Sequence, residues 1–132
     1  MNHQRPLVLL VEDDRDTAEL YQAMLSAEGM EVVCCHDSQQ ALTWWNRQTR
    51  RPDLILTDVL LPDGDGLCLM TELKRLGGFC PPVMVLSAHG DPRTPQRCRQ
   101  VGVQVFLDKL RDLGRLVSTA RALIASGEGQ RP

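Results

Sequence analysis

The chain has 132 residues, 42% of them apolar and 24% charged, with a formal net charge of −2. That length supports one well-buried core rather than two ordinary domains, and the composition is that of a folded globular chain. The near-neutral balance gives no pull toward nucleic acid or anionic lipid, no apolar run approaches the roughly 18 to 20 residues of a membrane helix, and the opening Met-Asn-His-Gln-Arg-Pro lacks the apolar stretch of a secretory signal, so a cytoplasmic location is expected.

Five short apolar runs, at residues 7–11, 31–35, 54–57, 83–86 and 103–107, alternate with five helix-compatible segments. This alternation predicts a parallel sheet with helices on both faces. In the first helical segment Ala18, Tyr21 and Leu25 share a face, Asp14 suits the N-cap and Gly29 the stop. Asp37 and Ser38 open the second, where Ala41, Leu42 and Trp45 face inward and Trp44 is left partly exposed. The third starts near Gly66, carries Leu69, Leu73 and Leu76, and ends at Gly77-Gly78. The fourth, roughly residues 92–101, offers only Cys98 and Val101 as anchors and has prolines at 92 and 95, which predicts the least firmly docked helix. The fifth has the clearest stripe: Leu113, Leu116, Val117, Ala120, Leu123 and Ile124.

The five cysteines (34, 35, 68, 80 and 98) are odd in number and show no C-x-x-C spacing, which fits reduced thiols. Cys34, Cys35 and His36 cannot share a tetrahedral ion from a strand, because adjacent side chains point to opposite faces. Of 15 basic residues only Lys74 and Lys109 are lysines, which makes both positions informative.

The unusual polar residues fall at the carboxyl ends of the apolar runs. Glu12, Asp13 and Asp14 follow the first, Asp58 closes the third, Ser87 and Ala88 follow the fourth, and Lys109 follows the fifth. Ligands of an open parallel sheet bind beyond those ends, where the strand order switches. Three carboxylates converging there repel one another, and a bound cation resolves the conflict. Oxygen ligands favour Mg²⁺, and a carboxylate so placed can serve as a nucleophile. Other sites fail on spacing. Asp63-Gly64-Asp65-Gly66 lacks the alternate ligands and closing glutamate of a calcium loop, an acidic triplet after the first strand repels the anion that a flavodoxin cradles, and Leu60 stands where an Asp-x-Asp phosphatase needs a carboxylate.

In this order the set resembles the receiver domain of two-component response regulators, over about residues 6–125, with 126–132 as a flexible tail. The resemblance implies an α/β fold: a doubly wound five-stranded parallel sheet, order 2-1-3-4-5, flanked by five helices. It implies that Asp58 accepts a phosphoryl group from the phosphohistidine of a sensor histidine kinase or phosphotransfer protein. Mg²⁺ would be held by Glu12, Asp13, Asp58 and the backbone carbonyl of Leu60. Ser87 and the amide of Ala88 would contact phosphoryl oxygens, and Lys109 would do so after first pairing with Asp58. Ser87 and Phe106 would form a switch acting on the face of the fourth helix, fifth strand and fifth helix, which meets a downstream protein. Arg93, Arg97, Arg99 and Arg111 would give that face a basic tint, although a solvated charged face explains them equally well.

Such a chain catalyses its own phosphorylation and dephosphorylation and is not a turnover enzyme. A homodimer is compatible with this reading. No helix-turn-helix fits after residue 125, so direct DNA binding by this chain is not expected. Leu110 follows Lys109 where receivers carry a proline in cis linkage; a non-proline cis bond costs about 2.5 to 4 kcal/mol, so a trans bond and a more mobile loop are expected. Leu60 and His89 resemble positions that flank the attacking water, and apolar Leu60 predicts slow self-dephosphorylation. The alternative is a receiver-like interaction module that is not phosphorylated, favoured by Leu110; a phosphatase-class enzyme ranks third.

Overall fold

A computed structural model describes residues 5–76, 80–87, 93–103, 105–109 and 111–128. The first apolar run forms β1 (Leu7–Val11), whose five side chains are all buried. A strand covered on both faces needs no polar alternation, which is why Leu-Val-Leu-Leu-Val is unbroken. β1 pairs in parallel with β2 (Glu31–Cys35) on one side and β3 (Leu54–Asp58) on the other. After β3 comes a small antiparallel hairpin of β4 (Leu60–Leu61) and β5 (Gly64–Asp65). β6 (Val83–Ser87) then pairs with β3, and β7 (Val105–Asp108) pairs with β6, both in parallel. The main sheet therefore runs β2-β1-β3-β6-β7. Counting this sheet alone, that is the predicted 2-1-3-4-5 order.

Strand alternation divides the core into two layers. Val8, Leu10, Leu54, Leu56, Met84 and Leu107 face α1 (Arg15–Ala27) and α5 (Leu116–Glu128) through Tyr21, Leu25, Leu116, Ala120 and Ile124. Leu9, Val11, Ile55, Val83 and Val85 face α2 (Ser38–Arg47), α3 (Gly66–Arg75) and α4 (Thr94–Gln100). Cys35 lies in the second layer and Cys34 packs against the first, the opposite faces expected of neighbours on a strand. All five cysteines are free. Trp45 is buried and Trp44 half-buried, as the helical spacing predicts.

Caps set the helix starts. Asp14 accepts from Thr17 N at 3.1 Å and Asp37 from Gln40 N at 2.7 Å, each satisfying a donor that the first turn leaves open. Gly29, with φ +85°, follows the end of α1.

Several boundaries differ from the sequence reading. β7 starts at Val105, not at residue 103, because Gly102 at φ +80° turns the chain out of α4 and leaves Val103 buried ahead of the strand. Leu76 does not join the inner face of α3; it is the C-cap residue and 47% exposed. Leu113 lies in a 3-10 turn (Leu113–Arg115) ahead of α5 rather than within the helix. α5 continues through Glu128, so residues 126–128, expected in the tail, are helical. The predicted stop at Gly77-Gly78 and Pro92 of the fourth segment lie outside the described residues. No periodicity announces the hairpin, because its strands are two residues each, too short for a period to show.

Gly66 explains how the hairpin returns to β3. Its N–H donates to Val59 O at 2.7 Å, and a Cβ on it would overlap the Asp58 carbonyl oxygen and lie 3.0 Å from Thr57 Oγ1. Backbone cannot yield as a flexible side chain does. Gly66→Ala should therefore destabilise the fold by roughly 2–3 kcal/mol, whereas Gly114→Ala, with nothing within 4 Å of its Cβ position, should be neutral or slightly stabilising. Urea midpoints of the two variants at constant m-value provide the check.

Candidate functional site

The chain leaves β1 outward to β2 and returns to β3 on the other side, so the sheet reverses direction between β1 and β3. A crevice opens at the carboxyl ends of strands on either side of such a reversal. Ladder hydrogen bonds continue past the strand ends and fix what points into it. Glu12 N donates to Cys35 O at 2.9 Å, and Lys109 N donates to Ser87 O at 3.0 Å. Asp58 ends β3 in register with Leu86, and Ser87, the next residue, pairs with Asp108. Sequence-distant Glu12, Asp58, Ser87 and Lys109 are thereby aligned along one edge.

Glu12, Asp13 and Asp58 each offer a carboxylate oxygen, and these three atoms lie within 4.8 Å of one another. Two unit charges that close repel by about 3 kcal/mol at an effective dielectric near 20. Glu12 is only 2% exposed, Asp58 is half-buried and Asp13 is exposed, so water relieves the three unequally. The described cation at the cluster is the Lys109 ammonium. Its Nζ lies 2.5 Å from Glu12 Oε1 and 2.7 Å from Asp58 Oδ2. One ammonium facing three carboxyl groups leaves the crevice short of positive charge, and the all-oxygen donor set fits a hard divalent cation.

Burial pushes the Glu12 carboxyl above its ordinary range, helped by the Asp58 charge and opposed by the bonds from Lys109 and from Asp14 N. For Lys109, burial works against the charge, but the hydrogen bonds and charges of Asp58 and Glu12 outweigh it and the ammonium is pushed up to about 12. Attraction thus exceeds desolvation for the lysine and falls short of it for the glutamate.

Ser87 is 7% exposed at the end of β6. Phe106 pairs with Val85 and packs half-buried against the layer that faces α2, α3 and α4. Leu60 is 69% exposed, and its N–H lies 3.3 Å from Asp58 Oδ1. Ala88, His89 and Leu110 lie outside the described residues, as does the Lys109–Leu110 bond.

Sequence reasoning missed three supports of the site. The Lys109–Glu12 bond was not foreseen, because the reading gave Glu12 only to a metal. Asp63 accepts from Ser38 N at 2.9 Å and Gln39 N at 3.0 Å, which pins the hairpin to the start of α2. Those backbone donors hold its carboxyl below the usual range. Asp65 accepts from Leu67 N at 2.7 Å as the N-cap of α3. An aspartate just before an apolar helical run is a capping signal, so Asp65 was legible; Asp63, distant in sequence from α2, was not.

The profile of the response regulator receiver domain family matches residues 8–121. The chain belongs to this family. Among curated relatives of this receiver, the transcriptional regulatory protein CpxR of Klebsiella pneumoniae subsp. pneumoniae (strain HS11286) is 32% identical over 117 residues, 89% of this chain and 48% of the relative. The KDP operon transcriptional regulatory protein KdpE of Escherichia coli (strain K12) is 32% identical over 117 residues, 89% of this chain and 50% of the relative. The chain spans about half the length of these relatives. Among solved structures, the signal receiver domain of the putative Luxo repressor protein from Vibrio parahaemolyticus has a TM-score of 0.85 at 26% identity, covering 96% of this chain and 95% of that one. The CheY-like receiver domain protein from Methanospirillum hungatei JF-1 shares the fold at a TM-score of 0.85 and 18% identity, with 96% and 98% covered. Among the described residues of this receiver no helix is long and apolar enough to cross a membrane.

Replacing Lys109 by Met removes the cation from one buried and one half-buried carboxyl group and should cost roughly 2–4 kcal/mol in EDTA. A raised lysine pKa stabilises the fold fully below its ordinary value of 10.5, and that stabilisation is lost as pH rises through about 12. The gap between wild type and Lys109→Met should hold at neutral pH and narrow over that alkaline window. Urea titrations at stepped pH measure it.

Proposed function

We propose that this receiver is a phosphoacceptor, with Asp58 taking a phosphoryl group from the phosphohistidine of a sensor histidine kinase or phosphotransfer protein, over a unit running from residue 6 through α5. The observation that carries this reading is the shared hold of Lys109 on Asp58 and Glu12 beside exposed Asp13. A carboxylate, an ammonium and two further acidic groups meeting at one strand edge support the reading, because in-line phosphoryl transfer calls on such groups.

An Asp58 oxygen attacks phosphorus as the bond to the imidazole nitrogen breaks; the bonding pair leaves with that nitrogen, and an acyl phosphate forms. Lys109 transfers its hydrogen bond from Asp58 Oδ2 to a phosphoryl oxygen, which keeps the ammonium paired throughout. Glu12, Asp13, Asp58 and the Leu60 carbonyl are the groups that would hold Mg²⁺, which supplies neutralisation of the charge shared between two anions. Ser87 donates its hydroxyl to another phosphoryl oxygen, with the Ala88 amide beside it. Movement of Ser87 opens room for Phe106, whose ring carries no hydroxyl to satisfy and so turns inward at little polar cost. The α4–β7–α5 face, carrying exposed Arg93, Arg99 and Arg111, then presents a changed surface to its downstream partner.

CpxR and KdpE are named as transcriptional regulatory proteins. If this receiver also serves transcription, the DNA contact lies outside the receiver fold. The rival reading as an unphosphorylated interaction module draws on Leu110 alone.

Incubation with Mg²⁺ and a small phosphodonor such as acetyl phosphate should add one phosphoryl group by intact mass, and Asp58→Asn or EDTA should abolish the gain. No Asp58-dependent adduct would favour the interaction module. Exposed, apolar Leu60 cannot orient the attacking water, so Leu60→Asn should shorten the phosphoryl lifetime by roughly fivefold, the equivalent of one hydrogen bond of about 1 kcal/mol. A phosphate-affinity gel time course reads the lifetimes directly.

A further inference from the structure

Helix α4 is seven residues long, buries only Thr94 and Cys98, and begins at Arg93 without a side-chain cap. Such a helix depends on its side contacts for its position. Two of them come from the stretch that runs from β5 into α3. At mid-helix Arg97 lies 2.6 Å from Asp65 Oδ2, while Asp65 Oδ1 caps α3 through Leu67 N at 2.7 Å. At the C-terminal end Lys74, the other of the two lysines, donates to the Val101 carbonyl where α4 ends.

Asp65 is also a residue of the hairpin. It stands opposite Leu60 in the β4–β5 pair, and Leu60 N–H points at Asp58 Oδ1, 3.3 Å away. The hairpin is held elsewhere as well: its tip by Asp63 on α2, and its return by the close approach of Gly66 to Asp58. With those points fixed, a turn of the Leu60 peptide is passed to its pair partner instead of being absorbed by the loop.

We infer that the β4–β5 hairpin is a second route from the phosphoacceptor to α4, running from Asp58 through Leu60 and Asp65 to Arg97 and independent of Ser87 and Phe106. The inference rests on the phosphoacceptor reading. Attack through Asp58 Oδ1, the carboxylate oxygen that Lys109 does not hold, takes that atom away from the Leu60 N–H, the Leu60–Asp65 pair shifts, and Asp65 loosens its hold on Arg97. α4, with that mid-helix tie loosened, pivots about the Lys74 contact at its C-terminal end. Asp65 and Arg97 are positioning residues in this scheme and touch no reacting atom.

The test uses beryllofluoride with Mg²⁺ as the phosphoryl mimic and two readouts on the same samples: the thermal shift caused by binding, and amide hydrogen exchange across α4. The variants are Arg97→Gln, Asp65→Asn, which retains the α3 cap, and the double substitution. Binding should stay Asp58-dependent in all three. In the unliganded variants α4 protection should fall by about two- to fivefold, the range open to an ion pair of this exposure. The beryllofluoride-induced change at α4 should shrink by a similar factor, and the double variant should add nothing to either single one. Retained binding with an α4 response equal to wild type overturns the hairpin route alone. Additive effects of the two singles overturn it too, since they deny that the pair acts as a unit. Absence of Asp58-dependent binding in the wild type overturns the phosphoacceptor reading, and the route with it.

Discussion

A single ammonium shared between Glu12 and Asp58 is the constraint around which this crevice is organised. Glu12 is almost wholly buried, and an isolated carboxylate there would shed its charge by taking up a proton. Lys109 opposes that outcome without completing it, because it is divided between two acids. The arrangement therefore keeps an unmet demand for positive charge at the strand ends. A pocket lined by hydrophobic residues would be more stable, and a fully paired one would have no reason to bind a cation.

The fold meets this demand through the rigidity of its centre. Every residue of β1 and β6 is buried, and β3 is buried up to Asp58. Close-packed strands of this kind do not shift to relieve repulsion at their ends. Lys109 arrives from β7 at the sheet edge, two strands from β3 and so about 10 Å away, a gap that calls for a long flexible stem. Arginine's planar fork would fix one bidentate partner; a lysine can divide its three donors and later redirect one. In a chain whose basic residues, Lys74 apart, are otherwise arginine, the choice of lysine here follows from that requirement.

Much of the fold was legible because the central strands obey one simple rule: residues buried on both faces leave unbroken apolar runs, and Asp14, Asp37 and Gly29 mark helix ends by local chemistry. Strand-end acids became a site once the runs were ordered as a parallel sheet. What escaped the reading involved long-range partners. Nothing local to Asp63 shows that it caps α2, and nothing near Gly66 shows that the Asp58 carbonyl occupies the space of a side chain. The start of β7 was misplaced because Val103 is as apolar as a strand residue, yet Gly102 still holds the chain in a turn there. Leu76 was misassigned because the helical period was carried one residue past the end of α3.

The energies in the molecule differ by location in a way that suits a switch. Contacts among the strand-end charges amount to several kcal/mol each way, since they are close and poorly solvated. The ties on α4 are part-exposed, and pairs of that kind contribute about 0–1 kcal/mol. On the phosphoacceptor reading, a charge added at Asp58 would act on the strong set, and because the sheet beneath it cannot deform, the response would pass to elements whose positions cost little to change. α4, with two buried side chains, and β7, an edge strand whose Phe106 is only half-buried, are those elements. Strengthening either by a better core contact would stabilise the fold while making that element harder to move.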